Sequence, residues 1–215
     1  MLVSAEIRWF WRSADVPVDL AEWFHPAGSK GFDPKPRRDD YFFMPDQTEL
    51  GIKRRNVSES NRTVEIKGLV GVTRDLLVSP FEGRGELWTK WPTDAIEMAG
   101  EMITTEKQRW LRKFATDESG DSAPKEIPLG DDELPLDKDV GLPAFGCNVE
   151  LTQVRLLPAA ELWWTLGFEA FGTIHTVEMS LRAVAVELAK TRPPSFGGAL
   201  NASYPAWLKK HGKPL

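Results

Sequence analysis

The chain of 215 residues has a single cysteine, Cys147, and only three histidines, His25, His175 and His211, far apart in sequence. One thiol excludes an internal disulfide framework and a cysteine-cluster zinc site. The histidines make no ligand motif. Long apolar runs are also missing. Charges at Glu6, Arg8 and Arg12 interrupt the opening MLVSAEIRWFWRS, which reads as neither a signal peptide nor a membrane span. Nor is there an excess of basic charge. The formal net charge of −5 argues against a general nucleic-acid binder. These absences lead to the expectation of a cytoplasmic protein with no nucleic-acid and no membrane partner.

What is present is enough apolar material for a core. At 41% hydrophobic and 27% charged, the composition is that of a folded domain rather than a disordered chain. Its most informative feature is a polar stripe inside apolar segments. Ser4, Glu6 and Arg8 alternate with Val3, Ala5, Ile7 and Trp9. Gly51, Lys53 and Arg55 alternate with Ile52 and Arg54; Thr63, Glu65 and Lys67 alternate with Val64 and Ile66. Arg84, Glu86, Trp88 and Lys90 share one parity on a further segment. Successive side chains of a strand point to opposite faces, so each segment carries one polar face. Arg54 should point away from the face that holds Lys53 and Arg55.

The remaining elements follow from local signals. Strands are expected at 2–12, 40–45, 73–79, 84–91, 147–156 and 161–171, with 49–56 and 62–69 paired as a hairpin across NVSESN. Residues 18–25 suit a short helix and 26–40 a Pro/Gly-rich loop. Asp94 and Glu97 resemble a capping box for a helix over 93–102. Residues 103–114 fit either a helix or a strand. Residues 173–190 have an amphipathic helical period that Pro193 and Pro194 end. A short terminal helix or turn is expected at 203–210. The expected architecture is one α+β domain over 1–215: an antiparallel closed β-barrel of about eight strands with helices packed outside. Residues 116–146, dense in Asp, Glu, Pro, Gly and Ser, read as an acidic, partly mobile insertion.

The order of these segments resembles the CYTH superfamily, the triphosphate tunnel metalloenzymes. Ser4-Ala5-Glu6-Ile7-Arg8 stands where that family has Glu-x-Glu-x-Lys. Asp40-Tyr41-Phe42-Phe43-Met44-Pro45-Asp46 leads to the basic Lys53-Arg54-Arg55. Val64-Glu65-Ile66-Lys67, Arg84-Gly85-Glu86, Lys107-Gln108-Arg109 and Gly167-Phe168-Glu169 are similar to later family strands, and Ser203-Tyr204-Pro205-Ala206-Trp207-Leu208 to its common ending. The resemblance covers most of the chain outside 116–146.

The resemblance implies a basic lumen that binds a triphosphate-containing small molecule, organic or inorganic. Arg8, Lys53, Arg55, Lys67, Arg84, Lys107 and Arg109 would be its binding ring, since guanidinium forks and ammonium groups match phosphate oxygens. It implies Mg²⁺ or Mn²⁺ on carboxylates at the mouth, here Glu6, Glu86, Glu150 and Glu169, with Glu6 and Glu169 as the catalytic pair of a hydrolase. The carboxylate set is depleted, because Ser4 replaces the first glutamate and only Glu169 remains of the last pair. Metal-dependent hydrolysis therefore stands beside a non-catalytic anion binder and a class IV adenylyl cyclase-like reaction. A lipocalin-like apolar barrel is a further reading. Trp88 and Trp163, sharing parity with Glu86 and Glu169, are expected to face the lumen, to stack on an organic ligand or to fill it.

Overall fold

In the computed structural model, the first strand, β1 (Leu2–Arg12), pairs along both of its edges, and this closes the sheet. The structure describes residues 2–25, 34–55, 63–94, 99–120, 122–130, 132–139, 141–159 and 161–214. After β1 come α1 (Leu20–Phe24), β2 (Arg37–Phe42), β3 (Leu50–Arg54), β4 (Val64–Val72), β5 (Glu86–Thr93) and β6 (Met102–Ala115). They are followed by β7 (Lys125–Ile127), β8 (Gly146–Leu156), β9 (Glu161–Gly172), α2 (Val177–Ala189), β10 (Leu200–Asn201) and α3 (Tyr204–His211).

The barrel order is β1-β5-β4-β3-β2-β6-β8-β9, eight antiparallel strands, with β9 returning to β1. β7 adds to the side of β6, and β10 to β1 beyond the end of β5. Closure removes the open edges and sends every second side chain inward.

Each face has its own core. On the outer face, Ile7, Trp9 and Trp11 of β1, Val149 and Leu151 of β8, and Leu166 and Phe168 of β9 are buried with Leu20 and Phe24 of α1. Val177, Leu181, Val184 and Leu188 of α2 join them, the spacing expected of a helix face packed on a sheet. The second core lies inside. Phe10, Tyr41, Ile103, Val154, Leu156 and Trp163 have inward parity on five strands, and Trp207 and Leu208 of α3 pack onto them. Trp207 stacks on Phe10 at 4.8 Å and meets Trp163 edge-on at 5.6 Å. This cluster fills one end of the barrel.

One open reading is decided and several expectations are corrected. Residues 103–114 are strand: β6 pairs with β8 at every position from Thr105 to Ala115, and that ladder decides against the helical spacing of Ile103, Trp110 and Phe114. Among the described residues of 93–102 there is no helix. β5 runs through Thr93 because Pro92 and Trp91 sit opposite Glu65 and Ile66, and β6 starts at Met102. Residues 95–98, including Glu97 of the capping box, lie outside the described residues. Residues 73–79 make only the isolated bridge Leu76↔Gly83, because Leu76 and Phe81 are drawn into the outer core. β2 begins at Arg37, inside the expected loop; residues 26–33 of that loop and 56–62 of the hairpin loop lie outside the described residues. α2 starts at Val177, after a turn in which Thr173 and Thr176 bond each other. The acidic segment 116–146 contributes β7 and a bridge from Leu129 to Pro135.

Candidate functional site

Beyond the apolar plug, the inward side chains become charged and surround a cavity of about 290 Å³. Strand parity accounts for the change. Along β6, Ile103 belongs to the plug while Lys107, Arg109 and Lys113 line the cavity; along β8, Val154 belongs to the plug and Thr152, Glu150 and Asn148 line the cavity. Among the described residues, nine basic side chains and five carboxylates line it, an excess of four basic groups in a chain of net negative charge.

Glu6 and Glu169 are directly opposite on β1 and β9. The Lys90 ammonium from β5 bonds Glu169 and lies 3.2 Å from Glu6 Oε1. Lys67 bonds the other Glu6 oxygen, and Ser4 Oγ donates to Glu6 at 2.7 Å. Burial opposes ionisation of Glu6, but the charges of Lys67 and Lys90 outweigh it and hold its pKa far below the usual carboxylate range. Burial likewise works against the charge on Lys90, and Glu169 and Glu6 overcome it, raising its pKa.

Glu150 of β8 is held between two guanidinium groups, Arg8 at 2.8 Å and Arg109 at 2.8 Å. The other side of Arg109 is taken by Glu133, from the acidic segment, through Nη2 and through Nε at 3.2 Å. Glu133 has a positive φ of 61°, a conformation unusual for a residue with a side chain. Glu65 is clamped by Lys53 at 2.8 Å and Arg55 at 2.7 Å. Burial lowers Lys53 to about 8, with the charge of Arg55 adding to it. Arg54 does point away from the cavity and pairs with Asp40 at 2.6 Å.

Deepest in the charged region is Lys107, 4% exposed. Its Nζ bonds the Tyr41 hydroxyl and lies 3.9 Å from the ring centre of Tyr204 and 3.6 Å from Asp39 Oδ2. Burial lowers its pKa well below the usual lysine value; Asp39 opposes the shift, and Lys53, Arg37 and Arg8 assist it.

Of the sequence-derived ring, Arg8, Lys53, Arg55, Lys67, Lys107 and Arg109 meet at this cavity, with Glu6, Glu150 and Glu169. Arg84 and Glu86 do not. They line a smaller side cavity of about 170 Å³ with Trp88, Asn201 and Ser203. Arg84 precedes β5, so strand parity does not aim it inward, and its backbone N–H donates to Asn201. Glu86 accepts from Trp88 Nε1 at 3.0 Å, and burial raises its pKa. Trp163 faces inward but belongs to the plug, and Trp88 is fully buried beneath Lys67. Arg37, Tyr41, Lys113, Glu133 and Tyr204 were not singled out as site residues. For Arg37 and Tyr41 the signal was available: they share parity on β2, whose start was placed too late.

The carboxylates implied as metal ligands do not converge. Glu150 is enclosed by arginines, Glu86 is in the side cavity, and an ammonium group lies between Glu6 and Glu169. Among the described residues, no group of three or more His, Cys, Asp or Glu is placed to hold a metal ion. Among the described residues, no helix is long and apolar enough to cross a membrane. No protein-family model matches the chain, and no curated protein matches it in sequence.

Proposed function

We propose that this protein is a CYTH-like barrel whose lumen binds a small polyanion, a triphosphate-bearing molecule above all, without needing a divalent metal. The observation that carries this reading is the charge of the closed-ended cavity: nine basic against five acidic side chains around about 290 Å³. Four of the nine are arginines, whose planar forks suit phosphate oxygens, and they come from β1, β2, β6 and the end of β3. The volume is at the small end of the range for ligand pockets and suits a polyphosphate group better than a whole nucleotide. The ordered motifs that resemble the family support the same class of ligand. Lys90 supplies between Glu6 and Glu169 the positive charge a bound cation would supply, so binding does not wait for metal.

Titration calorimetry with tripolyphosphate, pyrophosphate and phosphate, each with Mg²⁺ and with EDTA, tests the reading. Affinity should rise with the number of phosphates, fall with added salt, and be the same with EDTA. No heat with any of the three would sink it. Metal-dependent hydrolysis is the second reading, favoured by the register that sets Glu6 opposite Glu169. It requires Lys90 to leave that pair, and phosphate release that appears only with Mg²⁺ or Mn²⁺ would establish it.

A further inference from the structure

We propose that Lys107 is an imine-forming amine, and that the cavity takes a small aldehyde or ketone carrying an anionic group. This rests on the anion-binding reading for the charge of the ligand and goes beyond it in assigning covalent chemistry.

The first support is the difference between Lys107 and the other lysines of the cavity. Lys53, Lys67 and Lys90 each hold a glutamate in a direct ion pair that occupies the nitrogen, and Lys113, only partly buried, donates to Asn148 Oδ1 at 2.8 Å. Lys107 has its hydrogen bond to a neutral hydroxyl, Tyr41, and the nearby Asp39 oxygen stays at 3.6 Å. The Tyr41 and Tyr204 rings flank it, stacked on each other at 6.0 Å between centres, and exclude water from its sides. A desolvated lysine surrounded by further cations is the usual form of an activated amine nucleophile. The direction of the Lys107 shift agrees with that geometry.

The second support is Asp39. Its side chain is fully buried, and neither carboxylate oxygen has a hydrogen-bond partner among the described residues. Its oxygens meet cations only at ion-pair distance, Arg37 Nε at 3.5 Å and Lys107 Nζ at 3.6 Å, and a buried carboxylate without hydrogen bonds is costly and calls for a role. Beside Lys107 it provides a fixed negative charge for the iminium ion that an imine becomes on protonation. Tyr41 is the proton carrier. Burial and the charge of Asp39 raise its pKa, so the phenol keeps its proton and can donate it. Arg8 and Arg37, which also line the cavity, are the nearby partners for the anionic group.

The step balances without any other reactant. The unprotonated nitrogen of Lys107 attacks the carbonyl carbon, a C–N bond forms, the C–O π bond breaks, and one amine hydrogen passes to the oxygen. Tyr41 donates its proton to the departing hydroxyl, the C–O bond breaks, and Tyr41 recovers a proton from nitrogen. One water leaves, holding one amine hydrogen and the Tyr41 proton; the second amine hydrogen restores Tyr41, and nothing is oxidised or reduced.

The test uses pyridoxal 5′-phosphate, an aldehyde with a phosphate group, trapped with borohydride on the intact protein and located by peptide mass mapping. A reduced adduct on Lys107, suppressed by excess tripolyphosphate and lost in Lys107→Arg, is the expected result. Tyr41→Phe should slow trapping about 10²-fold, the usual size of a lost proton-transfer partner. If either variant fails to fold, the map of the unaltered protein decides by itself. Adducts confined to exposed lysines such as Lys125 and Lys209, with Lys107 unmodified, overturn the assignment; if tripolyphosphate still binds in calorimetry, the anion reading stands without it. An adduct on Lys107 that tripolyphosphate does not suppress supports the amine and counts against the anion reading.

Discussion

Arg8 and Gly167 face each other across the β1–β9 ladder, and the Arg8 guanidinium occupies the space that a side chain at 167 would fill. A Cβ at 167 would lie 2.6 Å from Arg8 Nη2. The glycine is thus what allows Arg8 to lie flat across β9 and reach Glu150 at 2.8 Å.

Gly167→Ala should therefore displace Arg8 and separate it from Glu150. Overpacking of this kind typically costs about 1–3 kcal/mol. The measurable outcome is a lower urea midpoint together with weaker tripolyphosphate binding. Gly141→Ala, where a Cβ meets nothing within 4 Å, should change neither.

Lys90→Met tests the ammonium between the two glutamates. Removing one partner of a buried ionic group leaves uncompensated charge and typically costs about 3–5 kcal/mol. Glu6 and Glu169 would then face each other without Lys90 between them, an arrangement with affinity for a hard cation. Thermal melts should show Mg²⁺ stabilising Lys90→Met and leaving the unaltered protein unchanged. Equal stabilisation of both would remove the assigned role of Lys90.

Stability should fall on acidification. Glu6 and Glu65 both have pKa values held far below their usual 4.5 by neighbouring cations, against the effect of burial. A carboxylate depressed in the folded state adds stability that is complete above 4.5 and lost as pH falls toward its folded value. Denaturant midpoints should be flat from neutrality to about pH 5 and then drop steeply. Glu65→Gln should make that drop shallower. On the alkaline side, Lys53 loses its proton near pH 8, so tripolyphosphate affinity should decline across that pH.

Trp207→Ala opens the plugged end. Trp207 is fully buried, and its loss leaves Phe10 and Trp163 unsupported. Such a truncation costs about 3–5 kcal/mol. Binding of an apolar fluorescent dye should increase, while tripolyphosphate affinity changes less, since the basic side chains of the cavity come from the strands and not from α3.

Much of the barrel was legible because period-two alternation is a local property. Ser4-Glu6-Arg8 and the pairing of 49–56 with 62–69 could be read from neighbours in sequence, and the structure places β1, β3 and β4 there. The errors fall where a distant partner overrode a local signal. Thr93 and Pro92 belong to β5 because β4 pairs with them, whatever the capping pattern around Asp94 favoured. For 103–114, which fitted either element, the flanking β2 and β8 decide for a strand, and Lys107 and Arg109 lie on it. Arg84 lies just before its strand begins, so parity had no hold on it.

The amino-acid order by itself determined which side chains share a face, since alternation depends only on the two-residue repeat of an extended chain. On β6 and β8 it also determined that the inward face is charged or polar along one part and apolar along the rest. Tertiary structure decided which charges meet. Lys90 lies between Glu6 and Glu169, Glu150 between Arg8 and Arg109, and Glu133 reaches Arg109 from the acidic segment, because closure and register bring together residues far apart in the chain. It also isolated Lys107 beside Tyr41 and Asp39, since burial and the surrounding field belong to the assembled barrel and to no single strand.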